Sequence, residues 1–218
     1  PEWEVAGVQM VEDVLPWEQM KLRMLNGSHS FLAYLGYLAG YAHINECMQD
    51  DSFREAARRL MLNEQAPTLR ITNVDLTAYA DSLLDRFANP ALQHRTWQIA
   101  MDGSQKLPQR MLDGIRMHLE RNTAWPLLAL GVAGWMRYVS GTDDQGNAID
   151  VRDPLSDKFQ AIVATSSDAE RVSALLTLKE IFGDDLPQNP VFVEAITGAY
   201  QRLVRLGARQ AVIETLKI

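Results

Sequence analysis

The sequence predicts an all-α, multihelical fold, and three observations support this. Apolar residues recur at spacings of three and four along most of the chain, which places them on one face of a helix. No stretch after residue 11 shows the strict alternation of a half-buried strand. No repeat with a period of roughly 20–50 residues indicates a solenoid. With 218 residues, 47% of them hydrophobic, the chain can bury the core of one large domain.

The first fifteen residues read as extended or irregular and begin at Pro1 rather than Met. We interpret 1–15 as a connection from a missing N-terminal nucleotide-binding domain and 16–218 as the helical domain. A first helix is predicted to begin at Pro16, because the absent N–H of proline costs nothing in a first turn. Asn26-Gly27 predicts the end of that helix.

A second helix is expected to follow, with Asn26 or Ser28 as its cap, and to run through Leu35 to Tyr41. Residues 141–150 predict a polar loop, the best candidate for a mobile segment. A helix restarts at Asp153-Pro154 by cap and proline. The remaining predicted helices cover 52–64, 73–87 with Asn73 as cap, 110–121, 124–139, 168–182 with Ser167 as cap, 191–206 and 209–216.

Composition excludes several classes of function. A net charge of −7 argues against nucleic-acid binding, which needs a basic face. The longest apolar runs are shorter than the roughly 20 residues that cross a bilayer, so no membrane partner is expected. A single cysteine, Cys47, cannot form an internal disulfide, which indicates a reducing cytoplasm and a buried, unreactive thiol. His43, His94 and His118 show no metal-ligand spacing, so no metal is expected.

Three groups that can handle a proton stand close together: Lys21, Asn26 and His29. Lysine can exchange protons at neutral pH when burial or a neighbouring cation, such as Arg23, lowers its pKa. The asparagine amide can donate to a developing alkoxide. A neutral histidine in a first helical turn can hold a substrate oxygen.

Each group also has an ordinary structural interpretation. The lysine could be a solvated helix residue paired with Glu18, the asparagine a cap, and the histidine a core residue. On one unbroken helix Lys21 and Asn26 lie about 140° apart, so they converge only if the chain turns at Asn26-Gly27.

These residues and two later segments resemble the polyol-specific long-chain dehydrogenases. That family includes mannitol 2-dehydrogenase, fructuronate reductase and tagaturonate reductase. Lys21, Arg23, Asn26 and His29 match its Lys-x-Arg-x-x-Asn-x-x-His pattern. Asp102-Gly103-Ser104-Gln105-Lys106 is similar to its Asp-Gly-Ser-x-Lys segment, and Asp153-Pro154-Leu155 to its Asp-Pro-Leu loop.

The resemblance implies the C-terminal catalytic domain of an NAD-dependent, zinc-independent dehydrogenase, whose N-terminal Rossmann-type domain binds NAD. It implies Lys21 as general acid and base, Asn26 and His29 as its catalytic partners, and Lys106 as a substrate-binding residue. Glu18 is a possible proton relay. Gln98 stands where mannitol dehydrogenases carry an arginine, which argues against plain mannitol and makes Gln98 a second substrate-binding candidate.

The amino-acid sequence from Arg95 to Arg110 most resembles that of fructuronate reductases, so we expect interconversion of D-fructuronate and D-mannonate. Mannitol or another polyol and tagaturonate remain alternatives within the family. A helical interaction module without chemistry is the alternative from a different class.

Overall fold

The computed structural model describes residues 13–218, so residues 1–12 of the predicted connection 1–15 lie outside the described part, and its last residue, Leu15, begins the first helix. The described part is helical, with two isolated β-bridges and no strand. Thirteen α-helices form it: α1 Leu15–Met20, α2 Ser28–Leu38, α3 Ile44–Gln49, α4 Asp51–Arg59, α5 Leu76–Ala88, α6 Thr96–Ala100, α7 Gly103–Leu107, α8 Asp113–Arg121, α9 Pro126–Val139, α10 Ser156–Thr165, α11 Arg171–Leu175, α12 Lys179–Phe182 and α13 Pro190–Thr215.

Three stretches of π-helix interrupt the longer helices. They are π1 Lys21–Gly27 between α1 and α2, π2 Leu60–Gln65 after α4, and π3 Pro108–Leu112 between α7 and α8. Segment π1 packs against both π2 and π3. Single π-turns inside α-helices are rare and are frequent at functional sites. Their meeting at one place marks the part of the molecule around Asn26 as unusual.

Helix α9 is the centre of the core, because nearly all of its residues are buried. It packs against α13 and α2. Trp135 of α9 lies edge-on to Phe159 and Phe182, with ring centroids 5.6 and 5.9 Å away. The helix begins at Trp125-Pro126, where the buried carboxylate of Glu64 accepts hydrogen bonds from two amide groups of the first turn. One continuous core therefore connects the ends of the described chain.

Several predicted helices are confirmed. Pro16 lies in the first turn of α1, and α4, α5, α8 and α9 occupy the predicted regions. The predicted pair 191–206 and 209–216 is one element, α13, with a kink at Gly207 (φ 73°). Asp144 caps the second half by accepting a 2.6 Å hydrogen bond from Ala208 N, so this carboxylate ties the polar loop 141–150 to the C-terminal helix.

Other predictions were wrong in detail. Asn73 does not cap α5, because it has a left-handed backbone (φ 60°) and Asp75 accepts from Ala78 N instead. The helix expected to restart at Asp153-Pro154 begins at Ser156, and Asp153 instead binds Ser104.

The predicted helix 168–182 is two short helices, α11 and α12. Leu178 leaves the helical region (ψ 83°), which allows Leu175, Leu176 and Leu178 all to be buried. Ser167 does not cap a helix directly, and its N–H and hydroxyl both bind the Glu170 carboxylate just before α11.

The prediction for Cys47 is confirmed. Its side chain is buried on α3, and burial raises the pKa of the thiol to about 12. Gly36 on α2 permits this packing, since a Cβ there would lie only 2.4 Å from the Cys47 sulfur. Among residues 13–218, no helix combines the length and the apolar character that crossing a bilayer requires.

Candidate functional site

The predicted break at Asn26-Gly27 is wrong, because the chain continues as helix through π1 into α2. Gly27 has a helical backbone (φ −65°). Its small size serves a close approach: a Cβ would lie 2.9 Å from both Arg110 O and Gln65 Nε2. Ser28 is not a cap either, since its buried hydroxyl binds the Met24 and Leu25 carbonyls of its own helix.

The π-helical backbone of π1 changes the angular relation between Lys21 and Asn26. Its hydrogen bonds join residues five apart, so Asn26 lies one turn after Lys21. In an α-helix the same two residues would point about 140° apart. The three predicted catalytic residues therefore follow one another along a single helix, with Lys21 exposed and both Asn26 and His29 partly buried.

Lys21 makes no ion pair within residues 13–218, and neither does Glu18, which lies exposed one turn earlier. The expected pairing of the two is therefore not found there. Arg23 is not the neighbouring cation that the sequence suggested. It is buried and donates to Thr68 O at 2.8 Å and Thr68 Oγ1 at 2.9 Å, on the far side of the helix. Lys21 thus presents its ammonium to the surface.

His29 is held as a neutral imidazole. Its ring stacks on Phe87 with centroids 4.9 Å apart, and its Nε2 is buried without a hydrogen-bond partner in the described residues. Burial, then the nearby charges of His94, Arg110, Arg86 and Lys106, lower its pKa to about 3. The expected cause, a place in a first helical turn, was wrong because the helix is continuous there.

Lys106 lies on α7, and its ammonium donates to Ile99 O at 3.2 Å and Met101 O at 2.5 Å. Burial, followed by the charge of Arg110, lowers the pKa of this lysine, while Asp102 and Asp153 act in the opposite direction. Gln98 is exposed on α6, next to one of these carbonyls. Lys106 thus reaches back to the residue that follows Gln98 in the chain.

The two later sequence motifs are brought into direct contact. Ser104 donates to the Asp153 carboxylate from its backbone N at 2.8 Å and from its hydroxyl at 2.6 Å. The N–H of Asp102 donates to Arg152 O at 3.0 Å. Gly103 between them allows close packing, because a Cβ there would lie 2.5 Å from Trp135 Nε1. The loop after residue 150 therefore fixes the start of the helix that carries Lys106.

Arg110 is a component that the sequence analysis did not single out. It follows Lys106 by one turn and donates through Nη1 to Ser30 Oγ at 2.9 Å, with Asn26 O at 3.5 Å. It thereby joins π3 to the helix bearing Asn26 and His29. The four-residue spacing from Lys106 was the available signal, because such residues share a helix face.

The described residues offer cations, an amide and a neutral imidazole, and among them no three His, Cys, Asp or Glu side chains are grouped to bind a metal ion. The sequence also contains no Gly-x-Gly-x-x-Gly turn for a dinucleotide. The arrangement therefore suits recognition of a small polar molecule and proton transfer to one of its oxygens.

Comparison with known proteins identifies the family. A family model described as "Mannitol dehydrogenase C-terminal domain" matches residues 13–204. The chain belongs to the mannitol dehydrogenase C-terminal domain family. It is 74% identical to an uncharacterized oxidoreductase, YeiQ, of Escherichia coli over all 218 residues, which are 45% of that protein. It is 61% identical to the D-mannonate oxidoreductase of the same organism over 97% of this chain and 44% of that protein.

A solved structure shows the same fold. This domain superimposes with a TM-score of 0.92 and 37% identity on Pseudomonas fluorescens mannitol 2-dehydrogenase, in a ternary complex with NAD and D-mannitol. The alignment covers all of this chain and 44% of that one. The domain thus spans less than half the length of the relatives that it matches.

Proposed function

We propose that the full-length protein is an NAD-dependent dehydrogenase that interconverts D-fructuronate and D-mannonate, and that this domain supplies its acid–base and substrate-binding groups. The observation that carries the proposal is the cationic surround of a neutral His29, on the same helix as Lys21 and Asn26. A substrate with a carboxylate at one end and a carbonyl at the other fits such a site. The NAD site lies on the other domain, since the sequence lacks a dinucleotide turn.

The nicotinamide cofactor, when bound, would supply a hydride as NADH in reduction and accept one as NAD⁺ in oxidation. During reduction the Lys21 ammonium gives its proton to the carbonyl oxygen, which becomes the hydroxyl of the product. In oxidation the neutral amine takes that proton back. The Asn26 amide donates to the oxygen while it carries partial negative charge. The neutral ring of His29 orients the same oxygen by one hydrogen bond.

Lys21 is exposed in this domain. A water-excluded site strengthens every electrostatic interaction in it. We infer that the second domain covers Lys21 and completes the site. We infer that Glu18, which lies exposed one turn earlier, passes protons between Lys21 and solvent.

Sugar acids are favoured over neutral polyols by two observations. Identity to the D-mannonate oxidoreductase is 61%, compared with 37% to mannitol 2-dehydrogenase. Lys106 and Arg110 also place two cations beside His29. Tagaturonate and uncharged polyols are the competing substrates. A helical interaction module is the competing class, and it would not require Lys21 for its function.

The test is Lys21→Ala in the full-length enzyme, assayed with NADH and a panel of fructuronate, tagaturonate and fructose. We expect turnover of fructuronate to fall by roughly 10²–10⁴, the usual effect of losing a positioned acid–base group. Lys179→Ala, a change at an exposed lysine paired with Asp184, is the matched control and should leave turnover unchanged. Unaltered turnover in Lys21→Ala at saturating substrate would remove this lysine from the mechanism.

A further inference from the structure

Arg110 is held through one nitrogen of its guanidinium, and among the described residues it shares a buried Nε without a hydrogen-bond partner with Arg137 and Arg171. Its guanidinium is half-buried, and Nη1 is engaged by Ser30 Oγ and the Asn26 carbonyl. Its Nε is buried and has no hydrogen-bond partner in the described residues. No carboxylate of the described residues forms an ion pair with it, whereas Arg116 and Arg209, for example, are each paired with an aspartate. Buried donors without partners are rare, and each calls for an explanation.

The positive charge of Lys106 adds electrostatic repulsion to the cost of burying part of the Arg110 guanidinium. Lys106 lies one turn earlier, and Arg110 and Lys106 both act on the ring of His29. Two carboxylates act on Lys106: Asp102, which forms no ion pair with the described residues, and Asp153, which accepts two hydrogen bonds from Ser104. Arginine cannot relieve the repulsion by losing its proton. Two cations withdrawn from water without a paired anion are the arrangement that an anionic ligand stabilises.

We propose that Arg110 and Lys106 together bind the carboxylate of the substrate, with Arg110 as the residue that distinguishes sugar acids from neutral polyols. This inference rests on the proposed function and adds the specificity-determining residue. Ser30 anchors Nη1, and no described residue binds Nη2, so Nη2 is the nitrogen that can donate a charge-assisted hydrogen bond to a carboxylate. Asn26 and His29 stand beside it to hold the reacting oxygen at the other end of the same molecule.

The experiment compares Arg110→Gln and Arg110→Lys in the full-length enzyme, with a sugar acid and its uncharged ketose as paired substrates. A hydrogen bond to a charged group contributes about 1.5–3 kcal/mol, which corresponds to roughly 10–150-fold in KM. We expect Arg110→Gln to raise KM for fructuronate by that factor, with little change in kcat. For fructose both constants should change less than about threefold. Arg110→Lys should fall between, because it keeps the charge and loses the planar fork.

Ser30→Ala removes the hydroxyl that holds Arg110 Nη1 and keeps the guanidinium itself. It should raise KM for the acid more than for the neutral ketose, by a smaller factor than Arg110→Gln does. Equal losses with both substrates in Arg110→Gln and Arg110→Lys would show a purely structural arginine and overturn the inference. If Arg110→Gln fails to fold in a thermal melt, the ratio in Arg110→Lys decides.

Failure of the proposed function is distinguishable from failure of this inference. A wild type that reduces tagaturonate but not fructuronate refutes the proposed substrate, and the ratio of acid to neutral ketose is then measured with tagaturonate and tagatose. Full fructuronate activity with no change of that ratio in the Arg110 variants refutes the role of Arg110 alone. A wild type that accepts no sugar acid refutes both.

Discussion

At the scale of single residues, burial shifts the pKa values of several ionisable groups more than neighbouring charges do. His29, Lys106, Glu64 and Cys47 all have pKa values moved first by burial. In each case the neutral form is favoured, as desolvation requires. Two of these residues give pH effects of opposite sign, which separate experiments can resolve.

His29 should remain neutral throughout the physiological range. Its pKa is lowered to about 3, whereas an unfolded histidine titrates near 6.5. Its contribution to stability is therefore complete above pH 6.5 and is lost as the pH falls toward 3. NMR titration, with the ring signals assigned from a His29→Asn variant, should show no change between pH 5 and 8. A titration midpoint near 6.5 would contradict the burial seen here.

Glu64 should have the reverse effect. Burial raises its carboxyl pKa to about 7, against the opposing influence of two backbone N–H groups. The folded state holds the proton more tightly than the unfolded one, so stability from this group is present below pH 4.5 and is lost as the pH rises through 7. We expect the free energy of unfolding of the wild type, relative to Glu64→Gln, to decline over that window in denaturant titrations.

Glu180→Gln is the comparison for Glu64→Gln. Glu180 is exposed and its pKa is lowered by Lys158, so any pH-dependent difference should be small and of opposite sign. Parallel pH dependence in wild type and Glu64→Gln would show that the Glu64 carboxyl does not titrate in this range.

At the scale of elements, the helices with a local apolar pattern were predicted, whereas the contact of π1 with π2 and π3 was not. Helical spacing located α4, α9 and α13, because their apolar faces are local patterns. At Gly27 the continuous helix packs closely against the Arg110 carbonyl and the Gln65 side chain, which are hydrogen-bonded to each other. Both residues are distant from Gly27 in sequence. A glycine needed for close approach cannot be told from one that ends a helix by local sequence alone.

Substitution of glycine by alanine tests that distinction. In Gly27→Ala, the new Cβ meets the Arg110 carbonyl and the buried Gln65 amide, so we expect a loss of about 1–3 kcal/mol in the free energy of unfolding. Gly198→Ala, in the exposed part of α13 with no atom within 4 Å, should stabilise the protein by about 0.5–1 kcal/mol. Denaturant unfolding measures both. Stabilisation by Gly27→Ala would exclude close packing at π1.

At the scale of the whole molecule, the helical fold and the family were predictable, whereas the assembly of the site was not. The motifs supplied Lys21, Asn26, His29 and Lys106 as candidates. Arg110 contacts the Asn26 carbonyl, and its charge acts on His29 and Lys106. The contact between Ser104 and Asp153 joins residues 49 positions apart. Such a contact follows from tertiary packing, which local patterns do not encode.

The described core is continuous, and the sequence has no dinucleotide-binding turn. We therefore expect the 218-residue chain to fold by itself, to bind neither NAD nor NADH specifically, and to show no turnover. Circular dichroism and calorimetric titration check these outcomes. A micromolar dissociation constant for NAD with this chain alone would contradict the assignment of cofactor binding to another domain.

The last part of α13, after the kink at Gly207, is packed into the folded domain. The family match stops at residue 204, yet Ala208, Ala211 and Val212 are completely buried, Arg209 pairs with Asp50 at 2.7 Å, and Arg59 donates to the Leu216 carbonyl at 2.9 Å. Residues 205–218 therefore hold the end of α13 against Asp50, which lies between α3 and α4, and against Arg59 of α4. A relative and a solved structure both match the chain beyond residue 204, so the folded unit extends past the end of the family-model match. A protein trimmed at residue 204 would lose these contacts and expose the apolar surface that Ala208, Ala211 and Val212 cover.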